Sequence, residues 1–249
     1  MLRIIYNYLK KIVKIISPYK KDNFSKLINY DDKILITKII GRKLTYLSQQ
    51  KLIKLANTCR LIEKQGLPGI FIEAGCALGG SSILISKIKN FERSFFIYDI
   101  FDMIPPPTHN DMQDAHDRYF TIITGNSKGI GNNIYYGYEE NLYESVISNF
   151  RSVGIDCEIY NIKLIKGFIQ ETMQIDQPVA FAHIDVDWYE PTMTCLEQIY
   201  PNLVNGGSII IDDYFCWGGS KKAVDEYFQK ISTKLRYDKS ERTLKVTKI

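Results

Sequence analysis

The sequence of 249 residues predicts a doubly wound α/β domain. Three observations carry that reading. Apolar runs of strand length alternate with segments of helical spacing from residue 48 onward, the first such run ends in a glycine-rich turn, and two later ones each end in a pair of acids. Strands separated by helices pair in parallel and take helices on both faces. Open sheets of this kind bind ligands beyond the carboxyl ends of their strands, where the turn and the acids fall.

At the N-terminus, MLRIIYNYLKKIVKIISPYKK repeats Ile4, Ile5, Leu9, Ile12, Ile15 and Ile16 at roughly helical spacing and stops before Pro18, which predicts an amphipathic helix. Its lysines break every apolar run, so it neither spans a bilayer nor reads as a cleaved leader. It is expected to pack on the body or on a sister subunit of a homo-oligomer; attachment to an anionic membrane surface is the other reading. Residues 1–44 are accordingly set apart as a helical arm and 45–249 as the main domain.

SQQKLIKLANTCRLIEKQG, residues 48–66, puts Leu52, Leu55, Cys59 and Ile62 on one helical face and ends at Gly66, as a C-cap would. GIFIEAG (69–75) is then a first buried strand, SSILISKIKN (81–90) a helix, SFFIYDIF (94–101) a second strand, NLYESVISNFRSVG (141–154) a helix and IKLIKG (162–167) a third strand. FAHIDVDWYEP (181–191) opens as a fourth strand and GGSIIIDDY (206–214) is a fifth, followed by the helices PTMTCLEQIYPNL (191–203) and KKAVDEYFQKI (221–231). The short runs KLRYD (234–238) and LKVTKI (244–249) are placed to close the sheet. Residues 102–138, with IPPP at 104–107 and GNSKGIGNN at 125–133, read as one long loop. Loops of that length are functional lids or disordered; rooted after the second strand, this one overhangs the carboxyl edge and is assigned as a lid.

A formal net charge of +4, from 32 basic and 28 acidic residues, is too slight to imply a nucleic-acid partner, and no interior basic run is interleaved with aromatics. Five cysteines form no CxxC pair, which fits reduced thiols in the cytoplasm better than a disulfide frame or a zinc site.

In EAGCALGGSS (73–82) the glycines admit a ligand close to the backbone, and the following helix start offers unpaired N–H groups. Read as Gly75, Ala77 and Gly80, the turn is nearly a dinucleotide fingerprint, and Asp99 ends the second strand where an acid holds ribose hydroxyls. Any adenosine-bearing cofactor satisfies this pattern, and plain strand-to-helix packing also uses such turns. If the fourth and fifth strands are neighbours, Asp185, Asp212 and Asp213 converge. Acids that close repel one another unless a cation sits between them, and oxygen ligands suit Mg²⁺; solvated strand ends or helix caps are the alternative. Asp187, one step past its strand, is open to both readings. His183, inside the fourth strand, reads as a buried structural histidine. Tyr189, Tyr214 and Trp217 flank the acids, and with His116 of the lid they are candidates to line an acceptor pocket, ordinary packing or a solvated loop being the alternative.

FIEAGCALGGSS, LIKGFIQET, HIDVDWYEP, GGSIIIDDY and GGSKKAVDEY, in this order between residues ~45 and ~230, resemble the macrocin O-methyltransferase (TylF-type) family. The resemblance implies a Rossmann-like class I methyltransferase sheet, with S-adenosylmethionine and Mg²⁺ used to methylate hydroxyls of sugars and related rings on secondary metabolites. By it, the turn residues Glu73, Gly75, Cys76, Gly79, Ser81 and Ser82, together with Asp99, hold the cofactor; Asp185, Asp212 and Asp213 bind the metal; and Asp185 is the general base. The stretch DMIPPPTHNDMQDAHDRYF (102–120) departs from the family's pattern, so the acceptor is read from other features. Richness in Ile, Lys, Asn and Tyr with little Ala is the usage of an AT-rich genome. The expected acceptor is therefore a nucleotide-linked sugar destined for a surface polysaccharide, its diphosphate held by Lys128 or Arg118, rather than a macrolide. Tailoring of a natural-product sugar is the alternative. A metal-dependent glycosyltransferase accounts for Asp-x-Asp but not for the glycine turn or the second acid pair, and a nicotinamide-dependent oxidoreductase leaves the acids idle.

Overall fold

The computed structural model describes residues 27–249; the helix expected over Ile4 to Ile16 lies outside them. The chain opens with α1 (Tyr30–Gly41), started by a capping box in which Asn29 and Asp32 exchange backbone and side-chain hydrogen bonds. Next come α2 (Gln49–Lys64), β1 (Ile70–Ala74), α3 (Gly80–Ile88) and β2 (Phe95–Asp99). The segment expected as a loop follows and contains a helix, α4 (Gln113–Ile123), and a 3₁₀ turn at Tyr136–Tyr138. The remaining elements are α5 (Leu142–Arg151), β3 (Ile162–Lys166), the single turn α6 (Ile169–Thr172), β4 (Val179–Ile184), α7 (Tyr189–Ile199), β5 (Leu203–Ile211), α8 (Gly218–Gln229), β6 (Leu235–Asp238) and β7 (Leu244–Lys248).

The seven strands lie in the order β3-β2-β1-β4-β5-β7-β6. β1 to β5 pair in parallel, as the alternation of strands and helices implies, whereas β7 runs antiparallel to both β5 and β6. The winding reverses between β1 and β4, which places a topological switch point, and hence a ligand crevice, at their carboxyl ends.

Alternation along each strand sorts the core into two layers. Phe71, Phe95, Ile97, Phe181 and Ile210 pack on α1, α2, α3 and α5, burying Ile36, Leu52, Leu55, Cys59, Ile83, Val146 and Phe150. Ile72, Tyr98, Ala182, Ile184, Ile209 and Ile211 pack on α7 and α8 through Leu196, Ile199, Val224 and Phe228. The same period decides where the polar positions go. Glu73, His183, Asp185 and Asp212 share parity with the first set, so they emerge on the α2 and α3 side of the sheet. Although α1 falls within the segment that the sequence sets apart as an arm, Ile36 and Ile39 belong to this first core layer.

The structure corrects the picture of residues 102–138 as a structureless loop. Ala115 and Ile122 of α4 join Ile104, Tyr135 and Trp188 in a third buried cluster. Burial of the larger of these side chains, such as Ile104 and Ile122, is worth about 1.5–3 kcal/mol each, enough to hold the segment against the sheet edge. The helix was hidden because only Ala115 and Ile122 are buried in it, among Gln, His, Asp and Arg. The legible signal was the spacing of residues 115, 119 and 122 followed by Gly125, whose φ of +75° marks a left-handed C-cap.

Candidate active site

β1 runs into the turn through Gly75, whose φ is +81° and whose hypothetical Cβ would lie 1.9 Å from the carbonyl oxygen of Asp185. Only glycine lets the β1 and β4 ends close up here. The turn is clasped from β2: one carboxylate oxygen of Asp99 accepts from the N–H groups of Cys76 (2.7 Å) and Ala77 (3.2 Å), the other from Phe101 N–H (2.7 Å). Burial raises the Asp99 pKa, opposed by those N–H bonds. Glu73, fully buried, accepts from the Ser82 hydroxyl and sits 2.8 Å from His183 Nδ1. That contact identifies the partner of His183 as a side chain of β1.

At the ends of β4 and β5, ligand atoms of Asp185, Asp212 and Asp213 all lie within 4.8 Å of one another. Pairing of Asp212 N–H with Ile184 carbonyl (2.9 Å) and of Asp185 N–H with Ala74 carbonyl (2.8 Å) fixes these ends side by side. Opposite carboxylate oxygens around an Mg²⁺ ion stand about 4.2 Å apart, so the three acids fit a divalent cation with small side-chain adjustments. Without one, each close pair of charges repels by roughly 3–4 kcal/mol at an effective dielectric of about 20. Burial, and then the neighbouring acids, push Asp185 and Asp213 well above the usual carboxylate range. Asp187 stands just outside the cluster with φ +62°, its N–H donating to Asp213 Oδ2 at 2.9 Å. Burial pushes its carboxyl up to about 6, against the pull of the Trp217 side chain and Arg118.

Two cavities meet at these acids. One, of about 560 Å³, runs from Gly75 past Asp99, Asp102 and Ile104 to Gly167, Phe168 and Gln170 beyond β3. The other, of about 660 Å³, lies under α4 and is lined by Tyr46, Ala77, Arg118, Tyr135, Tyr136 and Trp217. Gly75, Asp99, Ile104, Tyr136, Asp185 and Asp187 border both. A reactive group in one chamber can thus meet a nucleophile in the other beside Asp185 and Asp187.

Of the expected cofactor residues, Gly75 and Asp99 line this space. Cys76 contributes a backbone N–H to Asp99, Gly79 starts α3 in a left-handed conformation, and the buried Glu73, Ser81 and Ser82 line neither cavity. Of the expected acceptor residues, Trp217 lines the second cavity. His116 is exposed, Tyr189 donates to Glu226 (2.7 Å), and Tyr214 donates to Asp225 (2.8 Å) from within the second core layer. These three are turned away because the two helices and the turn that carry them point their side chains at α8 or solvent. Lys128 is exposed, while Arg118 faces the cavity and stacks over the Tyr135 ring at 5.3 Å. Sequence reasoning missed Tyr46, Asp102, Tyr136 and Phe168 as lining residues; for the last three, a position next to a strand end or at the borders of the 102–138 segment was the available signal, whereas Tyr46, between α1 and α2, carried none.

The segment 102–138 is tied down by capping in trans. Neither α7 nor α8 has a side-chain cap of its own; Asp111 accepts from Tyr189 N–H at 2.7 Å, and Asp114 accepts from Gly218 N–H at 2.9 Å. Trp188 adds an indole N–H bond to the Pro105 carbonyl at 2.9 Å. Removing an N-terminal cap costs about 1 kcal/mol. Asp111→Ala is therefore expected to speed proteolytic cleavage within residues 102–138 several-fold while the global melting transition moves by only a few degrees. Unchanged cleavage rates would show that the cap does not hold this segment.

A seven-stranded doubly wound sheet, glycine turn, acid-tipped strands and a double cavity partly lined by the 102–138 segment together define a class I methyltransferase fold. The chain belongs to the family described as Macrocin-O-methyltransferase (TylF), which it matches over residues 39–238. It is 30% identical over 171 residues to the demethyldecarbamoylnovobiocin O-methyltransferase of Streptomyces niveus, covering 66% of this chain and 60% of that one. It is 27% identical over 193 residues to the mycinamicin III 3''-O-methyltransferase of Micromonospora griseorubida, covering 74% and 69% respectively. The chain thus spans about three fifths of the first relative's length. Among solved structures, the O-methyltransferase NovP superposes with a TM-score of 0.66 at 24% identity over 82% of both chains. The S-adenosylhomocysteine-bound methyltransferase PaMTH1 of Podospora anserina superposes with a TM-score of 0.53 at 13% identity over 89% of both.

Proposed function

We propose that this protein is an S-adenosylmethionine- and divalent-metal-dependent O-methyltransferase that acts on a sugar hydroxyl, the sugar being carried on a nucleoside diphosphate. The observation that carries the reading is the pair of cavities meeting at Asp185 and Asp187. The first, lined along the β1, β2 and β3 ends, suits an adenosine-bearing donor, with exposed Asp102 at hand for ribose hydroxyls now that Asp99 is engaged by backbone N–H groups. The second presents aromatic rings to a sugar ring and, to an anionic group, the Arg118 guanidinium, which is in none of the described close ion pairs and acts on Asp187 only at longer range.

Bound S-adenosylmethionine supplies the methyl group on a sulfonium, and a divalent ion held by Asp185, Asp212 and Asp213 supplies a fixed positive field that favours negative charge on the acceptor oxygen. The chain does the rest. Asp185, expected from the sequence as the base, is better suited to hold the cation, because a carboxylate facing a divalent charge is a weak proton acceptor. Asp187 is not one of the three clustered acids, borders both cavities and takes the hydroxyl proton on its carboxylate in our reading. Trp188, tied to the lid, and the α4 cluster keep water out of the meeting point.

The described residues hold no helix long and apolar enough to cross a membrane, and all five cysteines are free thiols; a cytoplasmic enzyme that supplies a surface polysaccharide is in keeping with both. Incubation with S-adenosylmethionine, Mg²⁺ and a panel of nucleotide-linked hexoses is expected to yield products heavier by one methylene, and Arg118→Met to raise KM for them about tenfold or more through loss of a charge-assisted bond. If glycosylated natural products gain the methyl and nucleotide sugars do not, the tailoring reading suggested by the relatives' names replaces this one.

A further inference from the structure

We infer that Lys51 is an internal counter-cation of the acid cluster, neutralising Asp212 when no divalent ion is present and giving way when one binds. This rests on the reading of Asp185, Asp212 and Asp213 as a metal site. Lys51 Nζ lies 2.6 Å from Asp212 Oδ2, with side-chain exposures of 16% and 8%. Among the described ion pairs it is the one that reaches the three acids. Strand parity accounts for the meeting: Asp185 and Asp212 emerge on the face covered by α2, and Lys51 sits in the first turn of that helix, just past the Ser48 cap.

The helix itself has no room to retreat. One turn on, Lys54 donates to the carbonyls of Ser240 (2.8 Å), Thr243 (3.2 Å) and Asp238 (3.4 Å), and Leu52 and Leu55 are buried in the core. What can move is the four-carbon stem of Lys51, which is flexible and partly exposed. An ammonium in contact with a ligand oxygen opposes a divalent ion on the same carboxylates. Two roles are therefore separable by sign. A lysine that merely orients Asp212 would strengthen metal binding, whereas a counter-cation weakens it while stabilising the metal-free protein.

The test is calorimetric titration of Mg²⁺ and Mn²⁺ into the full chain without cofactor, for wild type, Lys51→Met and Lys51→Gln, with Lys51→Arg as the charge-preserving control. Melting is followed in chelator and in Mg²⁺. Removing the charge is expected to tighten metal binding about tenfold, lower the melting temperature in chelator and enlarge the rise produced by Mg²⁺; Lys51→Arg should stay near wild type. Lys51→Gln keeps a donor to Asp212 and serves if the Met variant does not fold. Metal affinity that is unchanged or weaker in both neutral variants overturns the inference and leaves the metal site standing. If neither wild type nor variants bind the ions, both readings fall together.

Discussion

Asp213→Asn is expected to lower methyl transfer at least about a hundredfold and, in chelator, to raise the melting temperature. Loss of groups that only orient metal ligands typically costs 10- to 100-fold, and a ligand itself should cost at least as much. The stability effect has the opposite sign. Burial and three neighbouring acids hold Asp213 above its unfolded value. Its proton-linked stability is therefore fully present below about pH 4 and is lost as pH rises through the folded value. Above that range, without a cation, the raised pKa makes the buried acid a net cost to folding that Asn removes, while the amide oxygen can still accept the Asp187 N–H. Calorimetric Mg²⁺ titration and melting curves with and without Mg²⁺ check both halves. A variant that keeps the wild-type metal affinity and activity would exclude Asp213 as a ligand.

Asp187→Asn is expected to reduce kcat by about 10²- to 10⁴-fold, the usual worth of a positioned proton acceptor, with Mg²⁺ and S-adenosylhomocysteine affinities nearly unchanged. Asp187 must be ionised to work, so wild-type activity should rise with pH through an acidic limb at or below about pH 6, the value to which burial pushes its carboxyl. A bound cation nearby can only move that limb lower. The limb should vanish in the variant. Asp185→Asn makes the contrast, because it should weaken metal binding first. If instead Asp187→Asn retains wild-type kcat while Asp185→Asn loses the limb without losing metal, the proton goes to Asp185 as the sequence motif suggested.

Most of the sheet was legible because strand and helix periodicities are local. Phe71, Phe95 and Phe181 announce buried strands whatever surrounds them, and the acids after Ile211 directly follow the strand they end, whereas Gly206 and Gly207, which read as a turn, fall inside β5 where its pairing with β4 is irregular. The neighbouring of β4 and β5 followed from two long apolar runs with acids at the same end. The lid helix was less legible because its neighbours supply what its sequence lacks. α4 buries few of its residues, and it is held by packing with Trp188 and by the caps that Asp111 and Asp114 give to α7 and α8.

The sequence by itself determined the layered fold, the acid-tipped edge and the glycine approach at Gly75, since each depends on residues adjacent in the chain or on period-two alternation. Only the tertiary structure decided how the polar groups were apportioned. Asp99 turns back onto the Cys76 and Ala77 N–H groups, and Glu73 is taken up by Ser82 and His183. Arg118 reaches the cavity while His116, two residues earlier on the same helix, faces solvent. Lys51 and Asp212 stand 161 residues apart in the chain. A carboxylate accepts from whichever donor the packing brings within about 3 Å, and that choice is made by which helix crosses which strand end.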